Sequence, residues 1–248
     1  MNPTTAGSGG RSPKDRSSGK PSQRTGRRAA SASSDRGEPR PAVRLISFDR
    51  ARGVDLVAGA DEAGRGCLAG PLVAAAVMFD HSRLSLRDLR RLSALNDSKK
   101  VKPELREELF AAIEATAERV VVAIRPAAVI DREGLHRTNI EALSSALTGV
   151  CDSHAVTFSD GFEVPVRDGS SEKLIRGDSR SAAVAAASII AKVVRDRHMQ
   201  RAADLFPGYG FERHVGYATE EHRDALQRLG PTSIHRRSFK SAAYESAA

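Results

Sequence analysis

Tryptophan is absent from the 248 residues, Phe and Tyr are few, and there are only two cysteines. With 40% hydrophobic residues the chain can build one sizeable core but is thin for two domains. Cys67 and Cys151 show no CxxC spacing and no signal peptide precedes them, so free thiols in a reducing, cytoplasmic setting are expected. No stretch approaches the ~18 apolar residues of a membrane-spanning helix. The seven histidines are scattered, and none forms a zinc-type cluster with the cysteines. No internal repeat is present.

Acidic side chains are outnumbered by basic ones, 31 to 39, for a net charge of +8. The excess is local. Residues 1–43 carry nine Lys and Arg against three Asp and Glu, and contain no Leu, Ile, Phe, Tyr or Trp. Such a segment cannot bury enough apolar surface to offset the entropy of ordering, so a disordered basic arm is expected over 1–43 and a single domain over 44–248. A loose cationic arm raises non-specific, salt-dependent affinity for nucleic acid. Its Pro and Gly density argues against an amphipathic transit helix, and Arg27-Arg28 lacks the apolar stretch of a twin-Arg export signal.

From about Arg44 the pattern is regular. An apolar run ends at Asp61, and Pro71 to Phe79 reads as a second strand antiparallel to it, across a glycine turn. Residues 80–102 are polar and turn-like. Pro103 opens a helix whose face is Leu105, Leu109 and Ile113. Val120 to Ile124, β-branched and unbroken, predicts a strand covered on both sides. Thr138 and Glu141 have the spacing of a capping box, with Ile140, Leu143, Leu147 and Val150 as the buried stripe behind it. A strand from Ala155 ends at Ser159-Asp160-Gly161. Ser181 to Met199 predicts a long buried helix with Asp178 at or near its N-cap. Thr219 caps a last helix, which Gly230-Pro231 ends. Strands alternating with helices give an α/β fold with a mixed sheet.

The stretch Asp61-Glu62-Ala63-Gly64-Arg65-Gly66 anchors the functional reading. Neighbouring side chains of a regular strand point to opposite faces, so these two acids share a site only if the chain turns at Glu62. Gly64 and Gly66 leave two peptides bare beside a guanidinium, a pairing suited to phosphate. Asp160 at a second strand end and Asp178 at a helix start complete a set of carboxylates. Gathered together, such acids repel unless a cation lies among them, and oxygen donors favour Mg²⁺ or Mn²⁺. Asp196 rivals Asp178, but one helix would separate them by roughly 27 Å, too far to serve one metal pair. Flanked by Arg195 and Arg197, Asp196 reads as a solvated helix-end ion pair.

These motifs resemble the ribonuclease HII family from about Leu45 to Phe239. Asp-Glu-Ala-Gly-Arg-Gly stands at 61–66, followed by Gly70-Pro71-Leu72-Val73, then Asp97-Ser98-Lys99-Lys100. Further matches are Ser159-Asp160-Gly161, Gly177-Asp178-Ser179, Ala186 to Val193, Tyr209-Gly210-Phe211, Gly216-Tyr217-Ala218-Thr219 with His222, and His235 to Phe239. Val101 replaces a Leu, Ser159 an aliphatic residue, and Val215 the Lys of the pattern. The resemblance implies a ribonuclease H-like sheet flanked by helices, with a C-terminal helical extension. It implies cleavage of the RNA strand of RNA–DNA hybrids and incision 5′ of a ribonucleotide in duplex DNA, as used in repair and primer removal. It implies Asp61, Glu62, Asp160 and Asp178 as ligands of Mn²⁺ or Mg²⁺. Gly64, Arg65 and Gly66 would contact the 2′-hydroxyl and phosphates, Ser98 and Lys99 would join in substrate binding, and Tyr217 would stack on the sugar. A monomer with no membrane partner is expected. A non-catalytic hybrid- or RNA-binding protein, and a ribonuclease H-like nuclease needing several ribonucleotides, are the competing readings. The four acids disfavour the first; Asp-Glu-Ala-Gly-Arg-Gly disfavours the second, whose motif carries Ser and Lys.

Overall fold

The computed structural model of the chain describes residues 41–151 and 153–239. The arm expected over 1–43 lies outside them except for its last three positions. Those three begin helix α1 (Pro41–Arg50), ahead of the expected start near Arg44. Ala42, Leu45, Ile46 and Asp49 recur at helical spacing along it and are buried.

Strands β1 (Leu56–Ala63) and β2 (Leu72–Asp80) form the centre, paired antiparallel with Leu56 opposite Asp80 and Ala63 opposite Val73. Helices α2 (Leu86–Arg91) and α3 (Pro103–Thr116) follow, then β3 (Arg119–Arg125), α4 (Ala127–Glu133), α5 (Leu135–Val150) and β4 (Val156–Asp160). A small hairpin of β5 (Pro165–Val166) and β6 (Gly169–Ser170) leads to β7 (Glu172–Leu174) and a 3₁₀ turn at Gly177–Ser179. The last described elements are α6 (Ala182–Leu205), α7 (Phe211–His214) and α8 (Glu220–Leu229). The main sheet has the order β3-β2-β1-β4-β7. Its first three strands are antiparallel, whereas β4 runs parallel to β1 and β7 parallel to β4. This is the mixed sheet that the alternation of elements implied.

Period two along β2 decides the layers. Val73, Ala75, Val77 and Phe79 join the core beneath α6. Leu72, Ala74, Ala76 and Met78 join the core beneath α5 with Leu143 and Leu147. Each of the Val, Leu, Met and Phe side chains contributes about 1.5–3 kcal/mol by leaving water, and each alanine methyl about 0.8 kcal/mol. Helix α6 lies directly on β1 because Gly59 has no side chain there; a β-carbon would stand 2.3 Å from the Val184 nitrogen. The run Ala182-Ala183-Val184-Ala185-Ala186-Ala187 allows that approach from the helix side. Two acceptors cap the helix start: Ser181 takes the Val184 N–H, and the buried Asp49 carboxylate of α1 takes the Ala183 N–H at 3.0 Å. Beyond the sheet, α7 and α8 pack on the far end of α6 around Leu68, Met199, Phe211 and Leu226.

Several elements differ from the sequence expectation. Strand β1 continues through Ala63 rather than stopping at Asp61, because β2 pairs with it that far. Helix α5 starts one turn early, with Gly134 as its cap, and the Thr138 hydroxyl donates to the Gly134 carbonyl at 2.8 Å instead of capping. Glu141 pairs with Arg137. Strand β3 is a sheet edge and not a doubly covered strand; Ile124 is exposed. Residues 80–102 hide α2, capped by Ser85 with Asp88 in a reciprocal box. Helix α6 runs on to Leu205, and Asp178 sits in the 3₁₀ turn ahead of the true cap, Ser181.

Candidate active site

The ends of β1 and β4 open on a cavity of about 410 Å³. Every site residue expected from the sequence lines it: Asp61, Glu62, Gly64, Arg65, Gly66, Ser98, Lys99, Asp160, Asp178 and Tyr217. The chain does not turn at Glu62, so Asp61 and Glu62 reach the cavity from opposite faces of the sheet. Ser188 of α6 stands beside Asp61, and its hydroxyl favours the ionised carboxylate. Asn139 of α5 directs its amide at Glu62 without closing a full hydrogen bond. They share one site because it lies at the rim, where both faces end. The parallel register pairs Ala60 with Ser159, which sets Asp160 beside Asp61. Asp160 is fixed by the Gly177 N–H, 2.6 Å from its Oδ1, so the 3₁₀ turn carrying Asp178 is tied to it.

Burial, then the charges of Glu62 and Asp160, push the Asp61 carboxyl well above the usual range. Burial pushes Glu62 up to about 7 against the opposing pull of Arg65, with Asp160 raising it further. Arg65 Nη1 stands 3.7 Å from Glu62 Oε1, and its guanidinium lies over the Phe162 ring. Burial, then Asp97 and Asp160, also raises Asp178. Glu62 Oε2 is buried without a hydrogen-bond partner.

A hard divalent cation fits this set. The donors are carboxylate oxygens, one is unpartnered, and their mutual repulsion is what a cation removes. Among the described residues no three carboxylate, imidazole or thiol groups stand close enough together to hold an ion by themselves. The acids therefore suit an ion that keeps water and substrate oxygens in its shell, as Mg²⁺ does. A stability consequence follows. Acids with raised pKa hold protons in the folded protein that the unfolded chain has released, so stability falls as pH climbs from about 4.5 to about 7. Saturating Mg²⁺ or Mn²⁺ should raise the Tm more at about pH 8 than at about pH 5.5, since protons compete for the same oxygens. Thermal melts at both pH values test this; a larger shift at the lower pH would contradict it.

Four further side chains complete the site. Ser188 and Lys192, within the Ala186–Val193 match, and Arg195 beyond it interrupt the apolar run of α6 at helical spacing, a signal to which the motifs above assign no role. Ser188 and Ser98 hydroxyls are 2.8 Å apart. Lys192 lines the cavity, pairs with Asp196 at 2.7 Å and stands 5.7 Å from the Tyr217 ring centre. Arg195, fully buried, donates to the Pro71 and Ala69 carbonyls, both at 3.1 Å. Gly64 must lack a side chain for this, since a β-carbon there would stand 1.9 Å from Arg195 Nε. Arg236, equally buried, donates to the Gly70 carbonyl at 3.1 Å and the Arg65 carbonyl at 3.0 Å. The two arginines thus hold the glycine loop from below. Asp196 is ion-paired as expected, with Lys192 and Arg106, but it lies inside α6 and not at a helix end.

A mixed sheet of this order, with acids at the ends of its two central parallel strands, defines a nuclease of the ribonuclease H class. Two solved structures share the fold. The ribonuclease H2 of Pyrococcus horikoshii superposes with a TM-score of 0.64 at 25% identity, over 77% of this chain and 95% of that one. The ribonuclease HII of Archaeoglobus fulgidus, solved in complex with PCNA, gives 0.63 at 27%, over 75% and 96%. The chain belongs to the ribonuclease HII family, which matches residues 58–242. Ribonuclease HII of Azorhizobium caulinodans is 48% identical over 199 residues, 78% of this chain and 74% of that protein. The protein is accordingly an endonuclease, a phosphodiester hydrolase acting on RNA strands.

Proposed function

We propose that this enzyme cuts the RNA strand of RNA–DNA hybrids and incises duplex DNA on the 5′ side of a single embedded ribonucleotide, leaving 3′-hydroxyl and 5′-phosphate ends. The observation that carries the reading is one cavity lined by the four acids, the Gly64-Arg65-Gly66 loop and the Tyr217 ring. Asp61, Glu62, Asp160 and Asp178 would hold Mg²⁺ or Mn²⁺. When bound, two such cations supply an activated water and charge stabilisation at the leaving 3′-oxygen.

The protein's own groups do the rest. The Glu62 N–H orients Asp61, with the Ser188 hydroxyl beside it, and Gly177 N–H orients Asp160. In a trans peptide the N–H points opposite to the carbonyl. Arg236 holds the Arg65 carbonyl, so the Gly66 N–H faces away from that arginine, and the space beside the Gly66 α-carbon is open, with nothing within 4 Å of where a β-carbon would stand. That bare peptide and the Arg65 guanidinium suit a 2′-hydroxyl, which both donates and accepts, and the phosphate beside it. Neither group reads a base edge, so base sequence would matter little.

Across the cavity Tyr217 is 40% exposed, flanked by Lys192 and Arg195, with its hydroxyl on the Cys67 thiol. An exposed ring held in this way is a platform for a sugar. The test is a labelled DNA duplex with one ribonucleotide, incubated with Mg²⁺ or Mn²⁺. A single cut 5′ of the ribonucleotide is expected, and an intact duplex would overturn the substrate reading.

A further inference from the structure

Behind Tyr217 lies a cluster of three buried histidines that neither the acids nor the substrate reading uses. His214, His222 and His235 are 7%, 0% and 2% exposed, and pack around Phe211. His214 and His222 stack with ring centres 4.5 Å apart. Their hydrogen bonds have only one self-consistent arrangement. A carbonyl can only accept, so His222 Nδ1, 2.9 Å from the Tyr217 oxygen, carries a proton and donates. In a neutral imidazole its Nε2 is then a bare acceptor. His235 Nε2, 3.1 Å away, must therefore donate to it. His235 Nδ1 is left bare, and it accepts the Thr232 N–H at 2.9 Å. The relay is directional from Thr232 to Tyr217.

His214 clamps the same loop from the other side: its Nδ1 accepts the Gly216 N–H at 3.2 Å, while Nε2 bonds the Tyr209 carbonyl at 2.7 Å. The loop needs such clamps, because Val215 is a β-branched residue at φ 42°. At its other end the relay is rooted beside Arg236, whose backbone N–H bonds the Leu68 carbonyl and whose guanidinium holds the Arg65 and Gly70 carbonyls. One short segment, residues 232–236, thus touches both parts of the cavity wall: the glycine loop through Arg236 and the Tyr217 peptide through His235 and His222.

We propose that His222 and His235 are positioning residues that set the spacing between the Gly64-Arg65-Gly66 loop and the Tyr217 ring through their N–H···N link. The inference rests on the proposed reading of the ribose by those two elements. The full relay, with His235 Nδ1 accepting from Thr232 and His222 Nε2 accepting from His235, holds only while both imidazoles are neutral. Burial pushes both down to about 4, and Arg237 disfavours a charge on His235 further, so the relay is intact through the neutral range.

The test uses His235→Phe, which keeps a ring but no donor, and His235→Gln, which returns a donor where Nε2 sits. Turnover is compared on the single-ribonucleotide duplex and on a long RNA–DNA hybrid under one metal condition. His235→Phe should lose about tenfold in kcat/KM on the first substrate and clearly less on the second. His235→Gln should recover most of the loss. In a Tyr217→Ala background, His235→Phe should cost nothing further on the single-ribonucleotide duplex, since both changes act through one ring. Equal losses on both substrates, additive losses in the double variant, or a Gln variant as impaired as Phe would overturn the proposal. Should the wild type not cut the single-ribonucleotide duplex, the substrate reading fails on its own. The relay is then decided by ¹⁵N imidazole spectra and amide exchange. They should show His222 protonated on Nδ1, His235 on Nε2, and faster exchange at Tyr217 and Thr219 in His235→Phe. Other tautomers or unchanged exchange would rule the relay out.

Discussion

Asp61→Asn and Asp160→Asn are each expected to abolish cleavage, by about a thousandfold or more, while leaving the fold in place. A loss of that size corresponds to ~4 kcal/mol of transition-state stabilisation, the scale expected when a ligand charge is removed from a metal-assisted displacement. The fold should survive because asparagine keeps the relevant acceptor. Asp61 Oδ1 takes the Glu62 N–H at 2.7 Å and Asp160 Oδ1 takes the Gly177 N–H, and an amide oxygen can do both. Without added metal the Tm should hold or rise, since one member of a repelling group is neutralised. Substrate binding should persist or tighten for the same reason. Asp178→Asn should be milder: that side chain is half-buried, and Asp97 lies close enough to share its place. Near-normal turnover by either of the first two variants in saturating Mn²⁺ would remove them from the metal site.

The second large effect concerns Tyr217. Tyr217→Ala should cut turnover of the single-ribonucleotide duplex by roughly tenfold to a hundredfold, the equivalent of ~1–3 kcal/mol. The loss on a long RNA–DNA hybrid cleaved with Mn²⁺ should be smaller. The asymmetry follows from where the ring stands, on the wall facing the glycine loop with one side open to solvent. A ring that supports only the fold would cost both substrates alike, because the folded fraction multiplies every rate equally. Parallel measurements under one metal condition separate the two cases. Equal losses would return Tyr217 to a structural role.

Much of the fold is legible in the amino-acid sequence. Period-two and period-3.6 patterns place β2, α3 and α8, because their local signals agree with their packing: Pro103 at a helix start, and Thr219 taking the His222 N–H. The acids stand out in the sequence where apolar runs give way to glycine, close to the ends of β1 and β4 and ahead of α6. The departures have physical causes. Thr138 and Glu141 imitate a cap because a threonine hydroxyl can bond a preceding carbonyl as readily as a following N–H. Strand β3 reads as doubly covered because its sequence is almost uniformly apolar, whereas edge position depends on strand order. Asp61 and Glu62 share a site without the bend that strand alternation demands, because the sheet simply ends there. Arg195, which reads as part of a solvated ion pair, and Arg236, to which the pattern gives no role, are both buried, because the carbonyls they hold belong to residues more than a hundred positions away.

That last feature bears on how the enzyme is made. Arg236 and the Arg65 carbonyl are 171 residues apart in the chain. On the ribosome the amino-terminal strands emerge first, and the final anchor of the glycine loop arrives last. Until Arg236 is synthesised and docked, a nascent chain can carry all four acids and yet lack the wall expected to recognise a ribose. A ribosome-bound fragment stopped after α6 would carry the four acids but neither Tyr217 nor the Arg236 anchor of the glycine loop. A frameshift or early stop that spares every acid would still remove the Arg236 anchor of the glycine loop.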